Sequence, residues 1–178
     1  MEKPLIKVAV PNKGALAEPA AEMLREAGYA QRLDGELALL DEVNSVEFFY
    51  LRPRDIAVYV GEGTLDVGIT GRDMLLDSHA HAIEVMPLGF GRSRFRFAAP
   101  QGSSMSIDQL NDLRLATAYP GLVESYLDDL GVEARVEHDL AFGHIAEMMR
   151  VEKLLPDSGL QLLQTQREPL VVRVDAEH

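Results

Sequence analysis

The chain has 178 residues and a formal net charge of −12. Such an acidic surface repels nucleic acid unless basic residues cluster, and the only tight cationic group consists of Arg92, Arg94 and Arg96. The absence of cysteine excludes disulfides, thiolate metal sites and cysteine nucleophiles. No apolar run approaches the roughly 18 residues that span a bilayer, and no signal-peptide core follows Met1. We therefore expect a cytoplasmic protein that contacts neither nucleic acid nor membrane.

Buried strands alternate with amphipathic helices along the chain, which predicts an α/β fold with mostly parallel sheets. Residues 31–44 are polar and predict irregular structure, and Pro100 to Ser106 is the nearest approach to a seam between two lobes. Strands are predicted over 5–10, 46–51, 65–70, 83–89, 94–99, 113–117, 132–136 and 170–174, and helices over 16–26, 55–61, 73–78, 107–110, 122–130 and 145–155.

Three loops are predicted at the carboxyl ends of strands, where open α/β sheets bind their ligands. They are Pro11 to Gly14, Thr70 to Asp73 and Ala118 to Gly121, and each leads into a helix. In the second loop, the glycine allows close approach of the backbone, and the amides of the following helix start suit an anion. Asp73 has two interpretations: it accepts from a ribose hydroxyl or helps to hold Mg²⁺, or it only caps its helix.

Basic residues next to these loops are candidate phosphate ligands. Lys13 lies on a glycine turn, where an ammonium group neutralises phosphate oxygens, although most surface lysines have no such role. Arg52 ends a strand, and its guanidinium either binds phosphate with both prongs or pairs with Glu47 or Asp55. The stretch 89–94 places glycines beside an arginine cluster and predicts either a polyphosphate site or a solvated hairpin. The five histidines are scattered, so a structural metal site is not predicted.

Five segments occur together in one order: VAVPNKGAL (8–16), NSVEFFYLRPRDIAVYV (44–60), LDVGITGRDMLLDS (65–78), LGFGRSRFRFAAP (88–100) and LATAYPGLVESYLDDLGVEARV (115–136). In these segments the chain resembles the catalytic unit of ATP phosphoribosyltransferase, the enzyme that starts histidine biosynthesis. The resemblance covers about three quarters of the chain.

The resemblance implies a two-lobed fold of the periplasmic-binding-protein type II class, closing over its ligands. Lobe I would comprise residues 1–90 with about 169–178, and lobe II residues 91–168. The implied reaction joins ATP to phosphoribosyl pyrophosphate (PRPP) with Mg²⁺: N1 of adenine attacks C1 of the ribose, and pyrophosphate leaves. Short-form members of the family work with a synthetase-like regulatory partner, and a homodimer or larger assembly is expected.

The resemblance also implies roles for individual residues. Lys13, Arg52 and Asp73 would be catalytic, with no metal site made by the protein alone. ATP or PRPP would be bound by Gly14, Glu47, Thr70, Gly71, Arg94, Tyr119, Ser158 and Gly159.

The segment from 137 to 170 departs from the family pattern. The loop that cradles the 5′-phosphate is expected there, and Asp157 to Gln161 is its only remnant. Ala15 also stands where the family usually has arginine, and the regulatory domain of long-form members does not follow, so the short form is the nearer match. Three hypotheses remain: an active phosphoribosyltransferase with a diverged loop, a non-catalytic relative that binds a nucleotide or another anion, and a rearranged chain that rebuilds the second lobe.

Overall fold

The computed structural model describes residues 4–33, 35–95, 97–100, 106–138, 160–162, 165–167 and 169–174. The chain divides into two compact units. The first comprises Met1–Ser93 and Arg167–His178, and the second Arg94–Gln166.

A six-stranded sheet forms the first unit. Its centre is three parallel strands in the order β3–β1–β4, with β2 antiparallel to β3 on one side and β12, then β5, antiparallel on the other. The strands are β1 (Ile6–Pro11), β2 (Ala38–Asp41), β3 (Val46–Leu51), β4 (Val67–Gly71), β5 (Ala82–Pro87) and β12 (Pro169–Val174). The helices are α1 (Ala17–Glu26), α2 (Pro53–Gly61) and α3 (Arg72–Ser78).

Alternating side chains of the central strands feed two apolar cores. On one face, Phe48 and Tyr50 of β3 join Leu24 of α1. On the other face, Ile56 and Val60 of α2 join Ala9 of β1. Pro53 favours the start of α2 at this position. It occupies the first turn, where a backbone amide hydrogen has no acceptor within the helix, so the hydrogen that proline lacks is not missed.

Helix α2 lies very close to β4 because Gly68 has no side chain. A Cβ atom at Gly68 would lie 2.4 Å from Cγ2 of Ile56 and 3.1 Å from Cγ2 of Val60. Both of those side chains are fully buried, so neither has space into which to retreat. Glycine at this position therefore fixes the distance between helix and sheet.

The second unit contains short strands, one 3₁₀ helix and one α-helix in the described part of the chain. Strands β8 and β9 pair in parallel, β7 and β10 pair antiparallel, and β6 pairs with β11. Its core is Leu110, Leu127 and Val132. The elements are β6 (Ser93–Phe95), β7 (Ala98–Pro100), the 3₁₀ helix Ile107–Leu110, β8 (Arg114–Thr117), α4 (Pro120–Leu130), β9 (Arg135–His138), β10 (Leu160–Leu162) and β11 (Thr165–Arg167).

Most predicted elements are present, with three differences. Residues 38–41 form a strand, although 31–44 predicted irregular structure, because Leu39 and Leu40 pair with β3. The strand expected over 132–136 is observed at Arg135–His138. The strand expected over 94–99 is observed as β6 and β7, and the helix expected over 145–155 lies outside the described residues. No helix in the described ranges has both the length and the apolar character to cross a membrane.

Asp41 stabilises the connection between β2 and β3. Its side chain is buried, and its carboxylate accepts hydrogen bonds from the amide of Ala30 at 2.9 Å, the amide of Asn44 at 3.0 Å and the side-chain amide of Asn44 at 2.8 Å. The Ala30 amide, followed by the two Asn44 groups, holds the pKa of Asp41 below its usual value. The folded state therefore stabilises the ionised form of Asp41.

We expect Asp41→Asn to lower the melting temperature at neutral pH, because the neutral amide accepts these hydrogen bonds less well. A depressed pKa contributes stability above the unfolded-state value of about 4, and that contribution is lost as the pH falls through the folded-state value. The deficit of the variant should therefore shrink on acidification. Thermal unfolding of both proteins between pH 7 and pH 3 checks this, and a deficit independent of pH would contradict it.

Candidate functional site

The carboxyl ends of three neighbouring parallel strands meet at one edge of the sheet in the first unit. Pro11 at the end of β1 pairs with Leu51 at the end of β3. On the other side Ala9 pairs with Gly68, which places Thr70 of β4 level with Pro11. Neighbouring strands lie about 4.8 Å apart, so the loops that follow β3, β1 and β4 start within roughly 10 Å of each other. Lys13, Arg52 and Asp73 follow these three strand ends.

Lys13 is an exposed cation on the turn between β1 and α1. Among the residues that the structure describes, its ammonium group has no carboxylate or carbonyl within hydrogen-bonding distance. Gly14 has a φ of +80°, in the left-handed region that favours glycine, and its carbonyl accepts from the amide of Ala17 at 3.2 Å. The turn thus holds the lysine backbone firmly while the charge remains available to an anion.

Arg52 immediately precedes α2, with an extended backbone at φ −66° and ψ 137°. Its side chain is exposed, and within the described residues it pairs with neither Glu47 nor Asp55. Glu47 lies near the start of β3, level with Lys7. The structure therefore does not bring Glu47 to the edge where Lys13 and Arg52 lie, because four residues of extended strand separate it from Arg52.

Thr70 is fully buried at the end of β4, and its hydroxyl donates to the carbonyl of Pro53 at 2.8 Å. That hydrogen bond ties the end of β4 to the first turn of α2. The hydroxyl is thus engaged within the protein, and the proposed role of Thr70 in substrate binding stays a prediction.

Gly71 and Asp73 form a compact unit at the start of α3. A Cβ atom at Gly71 would lie 2.0 Å from Oδ1 of Asp73, so the carboxylate folds back over the glycine. Gly71 is the residue that precedes the first turn, and Asp73 lies within that turn, so Asp73 is not the N-cap. Burial raises the pKa of Asp73, and the Met74 amide, its own amide and Arg54 oppose that effect.

We expect Asp73→Asn to raise the melting temperature at pH 7.5. Because the folded-state pKa is raised, the ionised carboxylate destabilises the fold above the unfolded-state value of about 4, and that cost is absent at lower pH. Asparagine carries no charge, so the gain should disappear as the pH approaches 4. Thermal unfolding at both pH values checks this. An equal or lower melting temperature for the variant at pH 7.5 would show that the carboxylate is not destabilising.

Two further arginines near this edge are already neutralised. Arg54 pairs with Asp77 at 2.6 Å, and Arg72 donates to both carboxylate oxygens of Glu84. In the described chain, Arg52, Arg54 and Arg72 follow β3 and β4, and only the last two form ion pairs. The charge of Arg52 is therefore the one available to a ligand.

Sequence analysis missed Arg32, which reaches the same edge from the segment before β2. Its guanidinium lies over the ring of Tyr50, 4.3 Å from the centroid, and donates to the carbonyls of Asn12 at 3.4 Å and Glu36 at 3.3 Å. Arg32 thus connects the β1 turn to β3. Tyr50 is 18 positions from Arg32 in the sequence and Asn12 is 20 positions away. No local sequence pattern indicates contacts between residues so far apart.

In the second unit, Tyr119 precedes α4 at the end of β8. Its ring is half-buried and packs edge-on against Phe95, with the centroids 4.8 Å apart, and its amide donates to the Thr117 hydroxyl. Arg94 lies on β6, and the structure describes its backbone only. Ser158 and Gly159 lie outside the described residues. No group of three or more potential metal ligands from His, Asp and Glu occurs in the described part of either unit.

The fold is that of an α/β protein, with helices α1 and α2 packed on opposite faces of one sheet and the candidate loops at the carboxyl ends of its parallel strands. Its fold matches that of a solved ATP phosphoribosyl transferase (HisG:HisZ) complex from Thermotoga maritima, with a TM-score of 0.73 and 23% identity, covering 95% of this chain and 87% of that chain. The family model described as "HisG: ATP phosphoribosyltransferase" matches residues 52–140. The chain belongs to the ATP phosphoribosyltransferase family.

Curated relatives bear the same name. Over 135 residues the chain is 58% identical to an ATP phosphoribosyltransferase of Streptomyces coelicolor. This alignment covers 75% of this chain and 47% of that protein. Over 133 residues it is 61% identical to one of Salinispora tropica, in an alignment that covers 74% of this chain and 47% of that protein. Over 137 residues it is 59% identical to one of Micrococcus luteus, in an alignment that covers 75% of this chain and 49% of that protein. The chain thus spans about half the length of the curated relatives that it matches.

Proposed function

We propose that this protein is an ATP phosphoribosyltransferase, which transfers the phosphoribosyl group of PRPP to N1 of ATP and releases pyrophosphate, the first step of histidine biosynthesis. The single observation that carries the proposal is that the three strand ends which Lys13, Arg52 and Asp73 follow lie side by side at the carboxyl edge of β3–β1–β4. Family membership supports it, because the relatives are named for this activity.

Charge stabilisation is the chemistry that these residues supply. As N1 forms its bond to C1, the bond from C1 to the pyrophosphate oxygen breaks and its electron pair leaves with the pyrophosphate. The transition state then has oxocarbenium character on the ribose and growing negative charge on the leaving group. Lys13 and Arg52 are suited to that charge, since both are exposed and neither is neutralised within the described chain. No covalent nucleophile is required.

Mg²⁺ fits this edge as an ion that arrives with substrate. It is commonly held by one or two carboxylates together with substrate phosphates and water, and Asp73 is the carboxylate that follows the end of β4. When bound, the ion would neutralise part of the pyrophosphate charge. Gly71 would keep the Asp73 carboxylate in place, because the carboxylate fills the space that a side chain at 71 would take.

The remaining binding residues are part of the same proposal. Gly14 and Gly71 would present backbone to phosphate, while the roles of Thr70, Tyr119 and Arg94 in substrate binding stay predictions of the resemblance. Glu47, Ser158 and Gly159 stay predictions of the resemblance. A cytoplasmic location, a homodimer or larger assembly and a synthetase-like regulatory partner also belong here. Support for the partner is that the matching Thermotoga maritima structure is a HisG:HisZ complex.

A non-catalytic relative that binds a nucleotide or another anion is the second candidate. The observation that favours it is where similarity ends: the family model stops at residue 140, and the alignments with curated relatives cover 74–75% of the chain. The resemblance places the 5′-phosphate cradle beyond residue 140, outside the range that the family model matches. A protein with an intact first unit and no cradle would bind ATP without turning it over.

Pyrophosphate release from ATP, PRPP and Mg²⁺ tests the first candidate against the second. We expect release that requires both substrates and the metal ion, together with formation of the ATP adduct. Calorimetric titration with ATP is the parallel measurement. Turnover would exclude the binding protein, whereas ATP binding without turnover would favour it. If neither ATP nor PRPP bound, both proposals would be wrong.

A further inference from the structure

Asn12, the residue before Lys13, is attached to other parts of the first unit through both of its backbone polar groups. Its amide donates to the carbonyl of Leu51 at 2.8 Å. Its carbonyl accepts from Nη2 of Arg32 at 3.4 Å. Leu51 is the last residue of β3, so the turn that carries Lys13 is held at the end of that strand.

The guanidinium group of Arg32 is itself held on two sides. It lies over the ring of Tyr50, 4.3 Å from the centroid, and its Nη1 donates to the carbonyl of Glu36 at 3.3 Å. Tyr50 is buried in the first core, so its ring is a fixed surface for the cation. The planar fork allows one nitrogen to bind Asn12 while the other binds Glu36, and a lysine ammonium group does not reproduce that geometry.

The contact with Asn12 determines the direction of the next backbone amide. The carbonyl of Asn12 and the amide of Lys13 belong to one planar, trans peptide group, so their bonds point in opposite directions. Because Arg32 binds the carbonyl, the Lys13 amide points away from the guanidinium group. In the described part of the chain that amide donates to no acceptor, and neither does the ammonium group of the same residue.

A purely structural role for Arg32 would be to close the segment before β2. The hydrogen bond to Glu36, four positions along the chain, is sufficient for that role. The hydrogen bond to Asn12 reaches a turn 20 positions away, and it ends on the peptide group that leads into Lys13. This second contact therefore calls for a role at the candidate site.

We infer that Arg32 is a positioning residue for Lys13: it holds the peptide group between Asn12 and Lys13 so that the Lys13 amide stays free for the anion that the ammonium group neutralises. Arg32 acts through Lys13 and does not itself touch the ligand. The inference rests on the proposed function in one respect, since it takes the anion to be the pyrophosphate group of PRPP.

Calorimetric titration with inorganic pyrophosphate tests the inference without requiring turnover. We expect Arg32→Met to bind pyrophosphate about 10-fold more weakly than the wild type, because methionine still covers Tyr50 but releases the Asn12 carbonyl. Arg32→Lys should be weakened similarly, since a point charge does not hold both carbonyls. The matched control Arg25→Met, on the surface of α1, should bind as the wild type does. Wild-type affinity in Arg32→Lys would show that charge alone matters and would overturn the inference.

A double-variant cycle shows whether Arg32 acts through residue 13. In the Lys13→Ala background, Arg32→Met should weaken pyrophosphate binding by less than about 3-fold, because the ammonium group that it positions is absent. Equal fold-changes in the two backgrounds would contradict the inference, as would a wild-type protein that binds no pyrophosphate. Thermal unfolding shows that each variant is folded, and Arg32→Lys replaces Arg32→Met in the cycle if the latter is not. Absence of turnover with these binding differences intact would count against the proposed function alone.

Discussion

Arg52→Ala is expected to lower kcat/KM for pyrophosphate release about 100-fold, with a melting temperature close to that of the wild type. The guanidinium is exposed and has no partner in the described chain, so its removal leaves no buried group unsatisfied. The catalytic loss has the size found when one donor to a developing negative charge is deleted. Steady-state kinetics with varied PRPP and a thermal unfolding scan check the two parts.

Matched variants separate this effect from a general loss of positive charge. Arg25→Ala removes an exposed arginine of α1 that pairs only at the surface with Glu22, and it should leave kcat/KM unchanged. Lys13→Ala should lower kcat/KM about 10- to 100-fold, whereas Lys7→Ala, from the other end of the same strand, should not. Equal activity of Arg52→Ala and Arg25→Ala would place the site elsewhere.

Gly68→Ala is expected to have the largest effect on stability. The added methyl would meet the γ-methyl group of Ile56 at 2.4 Å inside a filled core, and overpacking of this kind costs about 1–3 kcal/mol. For the roughly 100 residues of the first unit, that corresponds to a fall in melting temperature of roughly 5–15 °C. Thermal and urea unfolding measure it. Because α2 begins directly after Arg52, a shift of this helix should also reduce turnover.

A compensating substitution tests the cause. Ile56→Leu removes the γ-methyl group on the branched carbon with little change of volume, and alone it should cost less than about 1.5 kcal/mol. In the double variant the two costs should not add, because the methyl at 68 then has room. Strict additivity would show that the clash between helix and strand is not the source of the destabilisation.

The sequence predicts the centre of the sheet well because local pattern and long-range pairing agree there. Four of the six residues of Val46–Leu51 are β-branched or aromatic, and Pro53 marks the helix that follows. The strand β2 could not be predicted, since it depends on pairing with β3 rather than on its own four residues. Strand-end topology also predicts the proximity of Lys13, Arg52 and Asp73, whose roles stay predictions.

Other features of the candidate site depend on contacts that no local pattern encodes. In the sequence, Arg54 and Arg72 are candidate ligand-binding cations just as Arg52 is. In the structure, Arg54 pairs with Asp77 and Arg72 with Glu84, so their charges are neutralised. The placement of Glu47 at the start of β3 follows from register alone. Predicting which charges remain available to a ligand therefore requires the packing of side chains from separate elements.

The hydrogen bond from Thr70 to Pro53 limits how the candidate site is able to respond to a ligand. If the Thr70 hydroxyl turned towards a phosphate, it would release the carbonyl at the first turn of α2, next to Arg52. Recruiting the hydroxyl would therefore loosen the support of the neighbouring cation. A ligand therefore could not recruit the Thr70 hydroxyl without weakening the support of Arg52. This favours a rigid site that binds its ligand through backbone amides and side-chain charge.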